Sequence, residues 1–184
     1  MKATTANTQK TLKLVILGDG GVGKTSLCTK FTINTFSEKY VPTVAELASA
    51  IITNEDRAYK VNLFDVAGGE DFYRLRPLIY PGTDIFLLCF AINDFNSYNN
   101  LITSWLPELS RHHVKVPFIL VGTKCDLKSK ISQEQGIMLQ KIIKAEIYLE
   151  CSSKTGKGVS EVFDAAVTAY LKHRKSKKKK CIIS

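Results

Sequence analysis

The 184-residue sequence predicts an α/β domain of three layers: a mostly parallel six-stranded sheet with one antiparallel edge strand, covered by helices on both faces. Three observations carry that expectation. The continuous apolar runs Asp84-Ile85-Phe86-Leu87-Leu88-Cys89-Phe90 and Val116-Pro117-Phe118-Ile119-Leu120-Val121 read as parallel strands buried on both faces. Segments of helical period stand between such runs, and strands alternating with helices close into a parallel sheet through right-handed crossovers. A glycine-rich turn at Gly18–Thr25 joins the first strand to the first helix, at the carboxyl end of a strand, where sheets of this kind place ligands.

The elements follow in order. Leu12–Leu17 is the first strand, and Ser26–Phe31 continues the helix after the turn. Asn34 to Leu47 has no clean period and contains Pro42, so it reads as an exposed loop. Ala48–Thr53 and Ala58–Phe64 are strand-like runs joined by Asn54-Glu55-Asp56-Arg57, a hairpin signal. Ser97 to Leu109 has helical spacing at Leu101, Ile102, Trp105 and Leu109, with Trp105 a core-facing residue. A helix over Ser132–Ile143, a short strand at Glu146–Leu149 and a last helix from Ser160 to His173 complete the pattern. The apolar stripe Val162, Phe163, Ala166, Val167 and Tyr170 suits that last helix to a sheet.

Length and composition bound the rest. One domain with a full core fits the chain, and a composition 45% hydrophobic and 23% charged is that of an ordinary globular protein. Residues 1–10 read as a disordered lead-in, 11–172 as the domain and 173–184 as a basic tail. No apolar run is long enough to span a membrane, and the amino-terminal stretch lacks a signal peptide's apolar core and a myristoylation glycine. Five cysteines without C-x-x-C or metal spacing argue against a disulfide framework or a zinc site and fit a reducing compartment. Seven Lys or Arg in residues 172–180 account for most of the net charge of +9, so the body of the chain needs no nucleic acid to explain it.

The glycine turn Gly18-Asp19-Gly20-Gly21-Val22-Gly23-Lys24-Thr25 matches G-x-x-x-x-G-K-[ST] at every fixed position. Backbone N–H groups from Gly20, Gly21, Val22, Gly23, Lys24, Thr25 and Ser26 can converge on an anion at the positive end of a helix. Lys24 would reach the terminal phosphates, and the Thr25 hydroxyl would hold Mg²⁺. Asp65-Val66-Ala67-Gly68-Gly69 follows the strand ending at Phe64. There Asp65 can take a Mg²⁺-bound water and the Gly68 N–H can point at a terminal phosphate.

Thr123-Lys124-Cys125-Asp126 stands at the end of a strand, with Cys151-Ser152-Ser153-Lys154 after the next one. A carboxylate such as Asp126 can accept two hydrogen bonds from the N1–H and exocyclic amine of guanine, whereas adenine would leave it unpaired. Ser152, Ser153 and Lys154 supply the facing wall.

Over residues 11–184 these motifs resemble a Ras-superfamily small GTPase, and within it the Rho/Rac family. The tokens are Tyr40-Val41-Pro42-Thr43-Val44, Arg74-Leu75-Arg76-Pro77-Leu78, Val121-Gly122-Thr123-Lys124 and Tyr148-Leu149-Glu150-Cys151-Ser152. The resemblance implies the P-loop NTPase fold of small G proteins and GTP or GDP with Mg²⁺ as ligands. It further implies a Mg²⁺ shell of Thr25, Thr43 and water-linked Asp65, and catalytic positions at Lys24, Thr43, Gly68 and Gly69. By the same resemblance Phe36 edges the guanine, Tyr40 covers the phosphates, Lys124 lies along the base, and the Ser153 backbone contacts its carbonyl oxygen. Expected partners are guanine-nucleotide exchange factors, effectors, GTPase-activating proteins and a prenyl-binding chaperone, with the protein itself a monomer that binds no nucleic acid.

Three features depart from the family pattern. Gly69 stands where a glutamine orients the attacking water, so slow hydrolysis is expected, with Glu70 as a second candidate for that role. Ala45, Glu46, Leu47 and Ala48 replace the aromatic anchors that partners commonly grip, so a different effector set is expected. Only 24 residues separate Asp126 from Cys151, enough for a loop, one helix and a short strand, so the extra Rho helix is expected to be missing.

The sequence closes on Cys181-Ile182-Ile183-Ser184, a Cys-aliphatic-aliphatic-X ending directly after the lysine run. Lipidation of Cys181 is expected, farnesyl by the terminal serine, and one lipid plus a polybasic patch holds a protein on an anionic leaflet. The cytoplasmic face of the plasma membrane, with a cytosolic pool, is the expected location. Nuclear targeting by the lysines is a further reading. A GTP-loaded binding module with negligible hydrolysis is the alternative in function, and a metabolic P-loop kinase a distant third.

Overall fold

The computed structural model describes residues 10–37, 45–112 and 114–182, with the side chains of residues 45, 46, 70 and 177–182 outside the description. Tyr40 and Thr43 therefore lie outside the described residues, as does the lead-in up to residue 9. Lys10, expected in that lead-in, already belongs to the first strand.

Six strands form one sheet in the order β2-β3-β1-β4-β5-β6. They are β1 (Lys10–Leu17), β2 (Ala45–Asn54), β3 (Arg57–Val66), β4 (Ile85–Ala91), β5 (Phe118–Thr123) and β6 (Tyr148–Glu150). Among the described residues only the β2·β3 pair is antiparallel, with β2 at one edge of the sheet and β6 at the other. The helices are α1 (Lys24–Ile33), α2 (Phe95–Asn100), α3 (Leu106–Arg111), α4 (Gln133–Ile143) and α5 (Val159–Ile182).

The central strands are apolar at successive positions because both of their faces are covered. Leu14 and Ile16 of β1, with Ile85, Leu87, Ile119 and Val121, face a core that includes Leu27 of α1 and Val162, Phe163 and Ala166 of α5. Val15 and Leu17, with Phe86, Leu88, Phe90 and Leu120, face the opposite core, where Leu101, Trp105, Leu109 and Leu139 pack. The expected stripe on α5 is buried throughout, and Phe163 stacks on Phe31 of α1 at 3.9 Å between ring centroids.

The sequence reading places β6 at Glu146–Leu149, whereas it runs Tyr148–Glu150, and three larger differences stand elsewhere. β2 starts at Ala45 because its ladder with β3 runs on to the Ala45↔Val66 pair. The stretch expected as one helix over Ser97–Leu109 is α2, a π-helical turn at Leu101–Trp105, and α3. Pro107, just inside α3, has no N–H to give and crowds the turn before it, and the wider turn accommodates that. The extra residue rotates the helix face, so Ile102, expected inward, is exposed while Leu101 and Trp105 are buried. Finally, α5 continues past His173 to Ile182. Lysine and arginine are good helix formers, and no Gly or Pro interrupts the run. Among the described residues no helix is long and apolar enough to cross a membrane.

At the β2–β3 hairpin Glu55 and Asp56 both take positive φ, 48° and 59°, the hand that matches strand twist in a two-residue turn. One helix, α4, lies between Asp126 and β6, and its start is fixed by a capping box in which Ser132 and Gln135 satisfy each other's backbone N–H.

Candidate functional site

The site lies at the carboxyl ends of β1, β3, β4 and β5. Gly18 leaves β1 at φ 141°, and a Cβ there would overlap the Cys89 carbonyl of β4, so only glycine lets the loop cross at that height. Gly21 and Gly23 take φ of 73° and 98° and turn the chain into α1. No side-chain hydrogen bond caps α1, and its first turn faces the glycine loop, the arrangement that anion binding at a helix start uses. Val22 is buried under the loop, Ser26 sits in the first turn of α1, and a Cβ on Gly20 would meet open space.

Lys24 is 6% exposed. Its ammonium turns inward and donates to the carbonyls of Gly18 and Asp19, both at 2.7 Å. Burial pushes its pKa below the usual lysine value, and the Asp65 charge works against that shift. The Thr25 hydroxyl donates to the Asp65 carboxylate, which brings the two expected Mg²⁺-side oxygens together. These are hard oxygen donors, one neutral and one charged, and they suit Mg²⁺ shared with phosphates better than a metal caged by protein alone.

Gly68 packs directly on this loop. A Cβ on it would come within 3.0 Å of the Gly18 carbonyl oxygen, the Asp19 carbonyl carbon and the Gly20 nitrogen. Gly69 is different: its φ is not left-handed, and a Cβ would meet only the Phe72 ring, at 3.6 Å. The backbone does not demand glycine at position 69.

The third wall comes from β5 and the loop after β6. Thr123 is buried, and its hydroxyl proton is shared between the carbonyls of Val22, at 2.5 Å, and Phe90, at 3.0 Å. This ties the phosphate loop to the base-reading loop. Lys124 takes φ 61°, runs past Gly23 and donates from Nζ to the Gly21 carbonyl at 2.6 Å. Asp126 is exposed and accepts a hydrogen bond from the buried Ser152 hydroxyl at 2.5 Å, which orients one carboxylate oxygen. The same Ser152 oxygen accepts from the Thr155 N–H at 3.1 Å. Backbone bonds Cys125 N–H to Cys151 O and Cys151 N–H to Gly122 O stitch the two loops together. Ser153 is buried beside them, Lys154 is exposed, and Phe36 is part-exposed beyond α1. Cys181 lies in the last turn of α5, with its side chain outside the description.

Sequence reading missed a polar assembly on the other side of Gly68 and Gly69. Arg76, 5% exposed, makes a two-bond pair with Glu108 of α3 along one guanidinium edge, with Nη2 to Oε2 at 2.7 Å and Nε to Oε1 at 3.2 Å. Burial opposes the charge on Arg76, but the Glu108 carboxylate more than offsets it and raises the pKa. Tyr80 donates to Glu108 as well. The free edge of Arg76 donates to the carbonyls of Gly69, at 2.7 Å, and Ala67, at 3.4 Å. Beside this assembly opens a cavity of about 650 Å³ whose walls include Gly20, Gly69, Tyr73, Asn100, Thr103 and Arg111. Arg76 was visible in the sequence only as part of a motif token, and nothing near it in the chain points to Glu108.

The glycine turn at the start of α1, the inward Lys24 and the Thr25–Asp65 pair are arranged as a phosphate-binding loop of the G-x-x-x-x-G-K-[ST] type requires. The Ras family model matches residues 13–172, and the chain belongs to that family of small GTPases, GTP-binding switches on the P-loop fold.

Proposed function

We propose that this chain is a Rho/Rac-type switch that cycles between GDP and GTP states at a membrane and hydrolyses GTP slowly. The observation that carries slow hydrolysis is Gly69. It follows the loop-packed Gly68 directly, brings no side chain, and faces a cavity instead of a water-positioning group.

The other residues have definite tasks. Open N–H groups of the Gly20–Ser26 turn hold the phosphates, and Lys24 moves from the Gly18 and Asp19 carbonyls onto phosphate oxygens. Thr25 and Asp65 would hold Mg²⁺, with Thr43 added in the GTP state; Mg²⁺ when bound supplies positive charge against the phosphate oxygens. Asp126, oriented by Ser152, accepts from the guanine edge, and Lys124 lies over the base. Segments 36–47 and 66–76 are the switches, ordered by the γ-phosphate and released when it leaves.

The Rho-like part of this reading rests on the motifs Val121-Gly122-Thr123-Lys124 and Tyr148–Ser152, and the single helix α4 between Asp126 and β6, with no room for the extra Rho helix, speaks for a divergent member. Exposed Leu47 and the small Ala48 in β2, at positions where partners commonly find aromatic anchors, support an altered effector set. The lysine run and Cys181 support a lipid anchor on an anionic leaflet, where exchange factors, activating proteins and a prenyl-binding chaperone would meet the protein.

A second reading rests on the same Gly69: a binding module that stays loaded with GTP and is controlled by exchange or location. The nucleotide carried by freshly purified protein, followed by its single-turnover hydrolysis, separates the two. GDP with slow but measurable cleavage supports the cycling switch; persistent GTP with no cleavage over many hours refutes it in favour of the module.

A further inference from the structure

The side chain of Asp19 has no part in the nucleotide chemistry above, yet both of its oxygens are held. Asn100 donates to Oδ2 at 2.6 Å, and the Trp105 indole N–H donates to Oδ1 at 2.8 Å. The two donors bracket the π-helical turn at Leu101–Trp105. In a regular α-helix, residues five apart point about 140° away from each other. The wider turn is what lets both reach one carboxylate, and such turns recur at functional positions.

Trp105 faces two ways. Its N–H holds Asp19, and the Arg76 guanidinium lies over its ring, 4.5 Å from the centroid. Arg76 in turn holds the carbonyls of Ala67 and Gly69, which flank Gly68. The Asp19 carbonyl meanwhile accepts the Lys24 ammonium. A line of contacts thus runs from Asp19 in the phosphate loop, whose carbonyl gives up Lys24 when phosphate binds, to the carbonyls on either side of the γ-phosphate-sensing glycine.

Resting on the switch reading above, we infer that Asp19 is a positioning residue: acting through Trp105 and Arg76, its carboxylate carries the state of the phosphate loop to the Ala67–Gly69 segment. The polar side chain in the loop, the wide turn and the tryptophan serve one purpose. Without them, the loop and the segment would still touch at Gly68 but would respond to the nucleotide separately.

The test uses the full chain and amide hydrogen exchange over residues 66–76 and 100–108, with GDP and then with a non-hydrolysable GTP analogue. Trp105→Phe keeps an aromatic face for Arg76 and removes the N–H; Asp19→Asn keeps the size and removes the second acceptor. In the unaltered protein the analogue should slow exchange in both segments by at least about tenfold relative to GDP. In each variant that nucleotide-dependent difference should shrink below about threefold, with the affinity for a fluorescent GDP within threefold of the unaltered protein. The double variant should be no worse than either single one, since both break the same link. A contact that only braces the fold would raise exchange equally in both nucleotide states, so a difference that persists in Trp105→Phe overturns the inference, as does additive loss in the double variant. If the unaltered protein bound neither nucleotide, the switch reading would fall and this inference with it; a failure confined to the variants' behaviour overturns this inference alone.

Discussion

Gly69→Gln is the sharpest perturbation that the structure offers. A Cβ at this position meets only the Cδ2 and Cε2 atoms of Phe72, at 3.6 and 4.0 Å, both ordinary van der Waals distances. The φ angle lies outside the left-handed region, so no backbone strain opposes a side chain. The Gly69 carbonyl already accepts from Arg76 at 2.7 Å, and a substitution leaves that bond in place. Replacing a glycine where the native conformation suits any residue stabilises by about 0.4–1 kcal/mol, through a less flexible unfolded chain. In a domain of this size that is a rise in Tm of about 1–4 °C. The chemical effect should be larger. Positioned proton-transfer and water-orienting groups are worth about 10²–10⁴-fold in rate, so an amide that reaches the cavity beside Gly69 should speed hydrolysis by at least about tenfold, or ~1.4 kcal/mol of barrier. Single-turnover hydrolysis and thermal melting of both proteins with GTP and Mg²⁺ bound are the assays. Equal rates would show that Gly69 is not what limits cleavage, and a lowered Tm would show that position 69 needs its glycine after all.

The other expectations follow from the same geometry. Gly68→Ala should force Gly68 and the Gly18–Gly20 loop apart, because backbone atoms on the loop cannot yield to a Cβ. Its measure is the ratio of GTP-analogue to GDP affinity, which should fall by about tenfold or more; an unchanged ratio would refute the close packing. Asp126→Asn removes a charged acceptor held by Ser152, which should cost about 1.5–3 kcal/mol, or about 10–150-fold, in affinity for GDP. Titration with GDP and with ADP checks it, and equal losses for the two bases would argue against guanine reading. Cys181→Ser should move the protein from the membrane to the soluble fraction on cell fractionation, whereas unchanged partitioning would refute lipidation.

The parts of the fold written in local pattern were legible. The glycine turn, the doubly buried strands β4 and β5 and the stripe on α5 each state their environment within a dozen residues, and each lies where the pattern put it. Thr25 and Asp65 are expected to share Mg²⁺, and the structure brings their side chains together from the start of α1 and the end of β3. What escaped was created by long-range contact. Asp19 meets Asn100 and Trp105 across 81 and 86 positions, and Arg76 meets Glu108 across 32. No periodicity reports such pairs. Ile102 was misplaced for a related reason: the helical period is read as constant, and Pro107 makes the turn before it wider. The charge of the lysine run reads as a tail, yet no Gly or Pro in it stops a helix, and α5 runs through it.

The hydroxyl of Thr123 is a small rivet between two plates. It binds Val22 in the phosphate loop and Phe90 at the end of β4, while the adjacent Lys124 and Asp126 belong to the wall proposed to read the base. The groups that hold the two ends of a nucleotide are therefore mechanically joined. On the proposed reading, a partner that pried Val22 from Thr123 would loosen the grip on base and phosphate together, so one local wedge would serve for both ends of the nucleotide.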